Sequence, residues 1–183
     1  LSKDFYIKEK KNLYITNEHS RKVAHILRSK VNCILTTYKT INDDNPKLNC
    51  RIDGLNDLSP HVAILDKNLN IKKNSFLIFN AKKNKTYLFY NKHDDEIVNY
   101  LKSKKVKMIY TPLSNEDLDF NFILKSLYKH EITSVLVEGG KSLTCSLLKN
   151  DFFNEFYLFT SPKYLKNKGH LKDSNIKSNL TKK

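Results

Sequence analysis

The sequence has few of the residues that usually mark a nucleotide site or a disulfide framework: its 183 residues include four glycines, three cysteines and no tryptophan. No G-x-G-x-x-G follows the first predicted strand, so the classical dinucleotide-binding fingerprint is absent and any nicotinamide cofactor would bind in another fold. No apolar run is long enough to cross a bilayer. The lysine-rich first eleven residues lack the apolar segment of a signal peptide, so we expect neither a membrane helix nor a secretory signal.

The three cysteines, Cys33, Cys50 and Cys145, are odd in number and unevenly spaced. Cys33 and Cys145 lie among apolar or small residues, which is typical of buried thiols. This pattern argues against a disulfide or zinc framework and favours a reducing cytoplasm. The six histidines are dispersed without ligand spacing, and no H-x-E with P-C-x-x-C occurs, so we expect no metal site.

A formal net charge of +14 raises the question of nucleic-acid binding. Thirty of the 33 basic residues are lysines, scattered among many asparagines rather than concentrated in one stripe. No aromatic residues alternate with basic ones as a base-stacking platform requires. We therefore interpret the charge as a general lysine and asparagine bias. The only arginines are Arg21, Arg28 and Arg51, and each is of interest because a guanidinium grips phosphate in a way that lysine cannot.

The clearest signal of a site lies between residues 131 and 146. The β-branched run 135–137 precedes Glu138, two glycines and a helix start rich in small residues, a pattern typical of a buried parallel strand. Paired glycines let the backbone approach a ligand. The N–H groups of Gly140, Lys141 and Ser142 at the helix start would face an anion such as phosphate. The alternative is a tight structural turn.

Apolar periodicity and turn residues divide the rest of the chain into alternating strands and helices. The predicted helices are 20–30, 94–103, 121–130 and 142–149, and the predicted strands are 33–37, 61–66, 76–80, 87–90, 106–110, 135–137 and 155–160. Residues 1–12, 40–46 and 163–183 are predicted to be loop, turn-rich loop and loop or tail. The alternation indicates an α/β domain with a central, mostly parallel sheet flanked by helices. Ligands of such sheets bind beyond the carboxyl ends of the strands, where Thr36, Thr37, Asp66, Glu138 and the 40–51 loop are expected.

A set of short motifs also occurs in one order along the chain. Its members are Tyr14-Ile15-Thr16, Leu27-Arg28, Thr40-Ile41-x-x-Asp44-Asn45-Pro46-x-Leu48-x-x-Arg51, Pro60 to Asp66, Val137-Glu138-Gly139-Gly140-x-x-Leu143, Asn154-Glu155 and Pro162-Lys163. Each motif alone is weak, but the ordered set with its spacings is specific. Over residues 2–169 the chain resembles the reductase domain of the bifunctional riboflavin-biosynthesis deaminase/reductase.

The resemblance implies a dihydrofolate-reductase-like fold and NADPH-dependent reduction of the ribose of 5-amino-6-(5-phosphoribosylamino)uracil to a ribityl chain. In that reaction a hydride from the nicotinamide is delivered to C1, the carbon of a C=N bond in the opened sugar. The resemblance also implies a cytoplasmic homodimer and a deaminase domain, fused or separate. We expect a reductase domain over 1–169 that lacks the family's opening and closing strands, and a lysine-rich loop or tail over 170–183.

The resemblance further implies a role for individual residues. Substrate contacts fall on Arg28, Leu48, Arg51 and Glu138, and the catalytic candidates are Asp44 and Glu138. Cofactor contacts fall on Tyr14, Thr40, Asp44, Lys67, Gly140, Lys141, Ser142, Leu143 and Thr144, with Lys67 as a partner of the 2′-phosphate of NADPH.

Each assignment has a structural alternative. Arg28 would otherwise cap a helix, Arg51 would be a surface charge, and Glu138 would form an ion pair at a strand end. Asp44 would belong to a favourable turn sequence, and Lys67 would be a chance placement. For the whole chain, the alternatives are another dihydrofolate-reductase-like reductase with a different small substrate, or a basic nucleic-acid-binding module. The latter would show salt-dependent affinity for nucleic acid without NADPH binding.

Overall fold

The computed structural model describes residues 1–9, 15 and 17–172. Its elements in chain order are β1 Tyr6–Glu9, α1 Glu18–Ser29, β2 Cys33–Thr37, α2 Tyr38–Asp44, β3 His61–Leu65, α3 Phe76–Phe79, α4 Ala81–Asn84, β4 Thr86–Tyr90, α5 Asp95–Ser103, β5 Lys107–Tyr110, β6 Leu113–Ser114, β7 Asp117–Leu118, α6 Phe120–Lys129, β8 Val135–Val137, α7 Lys141–Lys149 and β9 Gly169–Lys172. They fall into two compact units, one drawn from Leu1–Ala24 and Lys141–Lys183 and the other formed by His25–Gly140. No helix among the described residues is both long and apolar enough to cross a membrane.

A five-stranded sheet forms the centre of the unit His25–Gly140. Its strand order is β5-β4-β3-β2-β8, and every pair is parallel. Strand β2 lies between β3 and β8, because Cys33 pairs with His61 of β3 on one side and with Val135 of β8 on the other. The predicted α/β class with a parallel sheet is therefore confirmed, and β8 has the bounds predicted for residues 135–137.

Two apolar clusters cover the two faces of this sheet. Ile34 of β2 packs on one face with residues of α3 and α5, whereas Leu35 packs on the other face with residues of α6. Successive strand side chains point to opposite faces, so a strand buried on both sides must be apolar at every position. This explains why the central strands were recognisable as short apolar runs.

Side-chain caps fix where several helices begin. Asp94 accepts from the N–H of Ile97 at the start of α5, and Asp119 accepts from the N–H of Phe122 at the start of α6. Such caps satisfy backbone donors that have no partner within the helix. The predicted helices 94–103 and 121–130 are confirmed to within a residue or so at each end.

Two predictions about the loops that follow β2 and β3 were wrong. Residues 40–46, predicted as a turn-rich loop, lie largely in α2. The turn residue Asn45 instead ends this helix in a left-handed conformation, with φ of 41°. Residues 76–80, predicted as a strand, contain α3, and the side chain of Asn45 accepts from the N–H of Phe76 at its start. Four consecutive apolar residues do not distinguish a buried strand from a buried helical turn.

The unit drawn from the chain's two ends also differs from prediction. Residues 1–12 and 163–183 were predicted as loop, but they contain β1 and β9, which pair antiparallel with Tyr6 opposite Lys172. Residues 155–160 were predicted as a strand and contain none. The amino group of Leu1 donates to the carbonyl of Phe159, and the Leu1 carbonyl accepts from Ser161, so this extended segment bonds to the chain's first residue rather than to a sheet.

Candidate active site at the carboxyl edge of the sheet

A bidentate ion pair joins the last turn of α1 to the end of β8. Arg28 Nε donates to Glu138 Oε1 and Arg28 Nη2 donates to Glu138 Oε2, both at 2.7 Å. Strand β8 holds Glu138 in place because its N–H continues the ladder to the Leu35 carbonyl at 2.9 Å. The two side chains are 14% and 27% exposed, so the pair is shielded but still reachable from solvent. Parallel N–H···O bonds of this kind give both strength and orientation.

The backbone carbonyl of Asn49 extends this pair into a network. It accepts from Arg28 Nη1 at 3.2 Å and lies 3.1 Å from Nδ1 of His25. A carbonyl oxygen only accepts, so Nδ1 of His25 must carry the proton. Nε2 of the same ring is then the acceptor of the bond from Arg51 Nη2, at 3.3 Å. Three of the four predicted substrate contacts, Arg28, Arg51 and Glu138, therefore belong to one hydrogen-bonded network.

His25 is the side chain of this network that the sequence analysis did not single out; Asn49 contributes only its backbone carbonyl. Burial lowers its pKa, and the nearby charges of Arg28 and Arg51 lower it further, against the opposing influence of the Asn49 hydrogen bond and of Glu138. The uncharged ring therefore predominates near neutral pH. The spacing of His25 and Arg28, three residues apart on one helix face, was the available sequence signal.

The segment between α2 and Arg51 brings the fourth predicted substrate residue into the core. Leu48 is 4% exposed, packs in an apolar cluster and has φ of 49°. Its side chain is therefore packed in the core, and its assignment as a substrate contact stays a prediction. The neighbouring Asn49 has a buried side-chain Oδ1 without a hydrogen-bond partner among the described residues. A buried acceptor without a partner is unusual and marks this segment as one where a polar group could bind.

The predicted cofactor residues Thr40 and Asp44 lie on α2, directly after β2. The hydroxyls of Thr37 and Thr40 lie 3.3 Å apart, and Thr37 Oγ1 accepts from the Thr40 N–H at 3.4 Å. Asp44 is exposed and is the last residue of α2. Because β2 and β8 are neighbours, this end of β2 belongs to the same sheet edge as Glu138.

Lys67 follows β3, two strands from β8 in the sheet order. Its Nζ donates to the backbone carbonyl of Glu116 at 2.7 Å, in an exposed position. The preceding Asp66 is fully buried, and its carboxylate accepts from the N–H groups of Asn70 at 2.9 Å and Ile71 at 2.8 Å. Burial raises the pKa of Asp66, and these backbone hydrogen bonds act against that shift. Asp66 thus holds a turn together, whereas Lys67 presents a cation at the edge.

The turn after β8 has the open space that a bound cofactor needs. A Cβ built on Gly140 would meet no atom within 4 Å, so a ligand phosphate could approach the backbone there. Helix α7 begins at Lys141, as predicted to within one residue, and Lys141, Ser142, Leu143 and Thr144 form its first turn. These four residues belong to the other compact unit. Tyr14, the remaining predicted cofactor contact, lies outside the described residues.

Side chains that could bind a metal are dispersed in the part of the chain that the structure describes. Residues 1–9, 15 and 17–172 contain no cluster of three or more His, Cys, Asp or Glu side chains that could hold an ion. The donor groups collected at the carboxyl edge are guanidinium, imidazole, carboxylate and carbonyl. These groups suit the binding of a phosphorylated, hydroxylated molecule.

Comparisons with known proteins identify the family of this chain. Residues 7–182 match the family described as the RibD C-terminal domain. The riboflavin biosynthesis protein RibD of Aquifex aeolicus (strain VF5) is 32% identical over 152 residues, which cover 83% of this chain and 41% of that protein. A Buchnera aphidicola (subsp. Acyrthosiphon pisum, strain APS) protein named 5-amino-6-(5-phosphoribosylamino)uracil reductase is 27% identical over 163 residues, covering 83% of this chain and 76% of that one.

A solved structure of a RibD protein has a similar fold. Acinetobacter baumannii RibD, form 2, superposes with a TM-score of 0.74 at 18% identity, covering 92% of this chain and 45% of that one. The fold is dihydrofolate-reductase-like, as the resemblance implied. The chain spans less than half the length of both RibD proteins. The match over residues 7–182 shows that the chain belongs to the family of RibD C-terminal domains.

Proposed function

We propose that this chain catalyses the NADPH-dependent reduction of the ribose of 5-amino-6-(5-phosphoribosylamino)uracil to the ribitylamino product of riboflavin biosynthesis. The observation that carries the proposal is the network in which Arg28, Arg51 and Glu138 meet around the Asn49 carbonyl and His25. Two of the chain's three arginines lie in it, as a substrate with a phosphate requires. The name of the Buchnera relative supports the same substrate.

The proposed reaction adds a hydride to C1 of the opened sugar and a proton to the attached nitrogen, so that the C=N bond becomes a CH–NH bond. A reduced nicotinamide, when bound, would supply the hydride. In this proposal Arg51 binds the phosphate, and Glu138 accepts hydrogen bonds from substrate hydroxyls. Each Glu138 oxygen already accepts from Arg28 and keeps a further lone pair for this purpose. Asp44 is the proposed polar group nearest the reacting centre.

Within the unit His25–Gly140, the residues proposed to hold the cofactor are Thr40, Asp44, Lys67 and the backbone at Gly140. The cofactor contacts of Lys141 to Thr144 stay an expectation from the resemblance. The space beside Gly140 supports this proposal, since it leaves the backbone accessible to a phosphate. Lys67 would select NADPH over NADH by pairing with the 2′-phosphate, because its ammonium group is exposed at the edge. A nicotinamide cofactor follows from a reductase assignment in general, whereas this preference for NADPH rests on Lys67 alone.

The direct test is NADPH oxidation by the purified chain with the deaminated phosphoribosylaminouracil as substrate. Arg51→Ala is expected to raise KM for the substrate about 10- to 100-fold, since a hydrogen bond to a charged group contributes about 1.5–3 kcal/mol. Arg21→Ala is the matched control, because it removes an exposed arginine from the first half of α1, and it should leave KM unchanged. Saturable NADPH binding without turnover would indicate a different substrate. Absence of both binding and turnover would show that the reductase proposal is wrong.

We further propose a cytoplasmic homodimer that works with a deaminase domain, fused or separate. The three cysteines are free thiols, and two of them are buried, which suits a reducing compartment. The proposals of a homodimer and of a deaminase partner come from the resemblance. Sedimentation of the purified chain tests whether it forms a dimer. The proposed reductase domain covers residues 1–169, followed by a lysine-rich loop or tail over 170–183.

A further inference from the structure

The imidazole of His25 links two arginines that are distant in sequence. Its Nδ1–H donates to the Asn49 carbonyl, which also accepts from Arg28 Nη1. Its Nε2 faces Arg51 Nη2 at 3.3 Å. Both ring nitrogens are therefore engaged, and the ring is fixed in one tautomer with its lone pair directed at Arg51.

Arg51 has little else to hold it in a single orientation. The residue is exposed, and among the described residues its guanidinium bonds only to His25. A long, flexible side chain loses conformational entropy when it binds a ligand, and fixing it beforehand reduces that loss. The acceptor on His25 therefore prepares the guanidinium for an incoming anion.

We propose that His25 is a positioning residue: as the neutral Nδ1–H tautomer, it orients Arg51 towards the phosphate of the substrate. This inference rests on the proposed function, since it takes Arg51 as the phosphate ligand. It assigns His25 no contact with the reacting atoms. Loss of the acceptor should weaken binding of a phosphorylated ligand and leave the chemical step nearly unchanged.

The proposal predicts a specific effect of pH. Among the described residues, the charged groups that face the ring are Arg28 on its own helix, Arg51 from the loop after α2, and Glu138 from the end of β8. Protonation of Nε2 removes the lone pair and places a third cation beside two guanidinium groups. In the part of the chain that the structure describes, Glu138 is the one anion that opposes this charge. Arg51 is then released, so affinity for a phosphorylated ligand should fall as pH drops through the pKa of His25.

The test measures binding of ribose 5-phosphate and of the full substrate by calorimetry, together with steady-state kinetics. His25→Leu removes the acceptor and is expected to weaken phosphate-dependent binding about 3- to 10-fold, as for a neutral hydrogen bond. KM should rise by the same factor while kcat stays within about two-fold. His25→Gln offers Arg51 a carbonyl oxygen that does not titrate, so it should restore affinity and abolish the extra loss at acid pH. The phosphate of the ligand titrates in the same way with wild type and with His25→Gln. The difference between their pH profiles of affinity therefore reports on His25 alone.

The outcomes separate this inference from the proposed function. In the Arg51→Ala background, His25→Leu should have no further effect on binding, because the two residues act as one unit. If Arg51→Ala weakens binding but neither His25→Leu nor acid pH does so, the positioning role is wrong and the phosphate site stands. If wild type and Arg51→Ala bind the ligand equally, or neither binds it, both proposals are overturned. Should His25→Leu not fold, the pH profiles of wild type and His25→Gln decide the question.

Discussion

The two strands that flank β2 both end in a carboxylate, yet the two carboxylates have different roles. Asp66 follows β3, is fully buried and accepts from the N–H groups of Asn70 and Ile71. Glu138 follows β8, is partly exposed and pairs with the Arg28 side chain. The sequence pattern is the same in both places: a short apolar run followed by an acid.

The difference between the two acids lies in the residues that come directly after each of them. After Asp66 the chain turns back, with Leu69 at φ of 57°, so its own backbone donors reach the carboxylate. Glu138 precedes two glycines, and its partner comes from a helix 110 residues away in sequence. A carboxylate satisfied by local backbone stabilises a turn, whereas one satisfied by a distant side chain can exchange that partner for a ligand.

The largest expected effect is on stability, from Asp66→Asn. The amide can accept from only one of the two backbone N–H groups and presents its own donor to the other. Loss of a hydrogen bond to a charged acceptor, together with a buried unsatisfied N–H, should lower the free energy of unfolding by about 3 kcal/mol. Urea denaturation followed by circular dichroism measures the change. Affinity for ribose 5-phosphate per folded molecule should stay within about two-fold of wild type.

Glu138→Gln should show the opposite pattern. The amide leaves one Arg28 donor without an acceptor and weakens contact with substrate hydroxyls, so kcat/KM should fall about 30-fold, or roughly 2 kcal/mol. The free energy of unfolding should change by less than about 1 kcal/mol, because the pair is partly solvated. A loss of stability as large as that in Asp66→Asn, with turnover intact, would make Glu138 a structural ion pair and remove the contrast between the two acids.

The fold could be predicted from the sequence where burial alone determines an element. Strands β2, β3, β4, β5 and β8 were found within a residue or so of their ends, because each is a short apolar run between turn residues. The four-residue apolar run of α3 was assigned the wrong structure, because its first N–H is capped by Asn45, about thirty residues earlier. The pairing of β1 with β9 joins opposite ends of the chain, and no local pattern predicts it.

The residues that form the hydrogen-bonded network could mostly be named from the sequence, but the bonds that join them could not. Arg28, Arg51 and Glu138 were predicted from the resemblance. The scarcity of arginine in the chain supported the first two, and the position at a strand end supported Glu138. His25 was missed because its role depends on the Asn49 carbonyl and on Arg51, which a loop brings to it from beyond α2. Leu48 was predicted to touch substrate, and nothing in the sequence indicated that its side chain is buried in the core.

A smaller effect, on cofactor affinity, is expected from Lys67→Ala. This substitution tests whether the end of β3 contributes to ligand binding. An exposed charge pair contributes about 0.2–1 kcal/mol, so the dissociation constant for NADPH should rise about three-fold and that for NADH should not change. Fluorescence titration of each reduced cofactor measures both. Lys125→Ala on α6 is the control, since that lysine is exposed on a helix away from the strand ends. Equal weakening of NADPH and NADH would assign Lys67 to the loop contact with Glu116 rather than to the 2′-phosphate.

The smallest expected effect is on how the free energy of unfolding depends on pH, to which Asp66 contributes. Burial raises the pKa of this carboxyl in the folded chain above its ordinary value of 3.8. The folded state therefore takes up the proton before the unfolded state does. The part of the unfolding free energy that comes from Asp66 increases as pH falls from the folded pKa towards the unfolded one, and it is constant outside that window.

The difference in unfolding free energy between wild type and Asp66→Asn, measured by urea denaturation at a series of acid pH values, isolates this contribution. Asparagine does not titrate, and the other carboxyl groups contribute equally to both proteins. The advantage of wild type over the variant should grow on acidification through the window. If it shrinks instead, the hydrogen bonds from Asn70 and Ile71 outweigh burial and hold Asp66 as a carboxylate. Asp66 and Glu138 would then both be stabilised as carboxylates. The two strand ends would differ only in whether the hydrogen-bond donors come from local backbone or from a distant side chain.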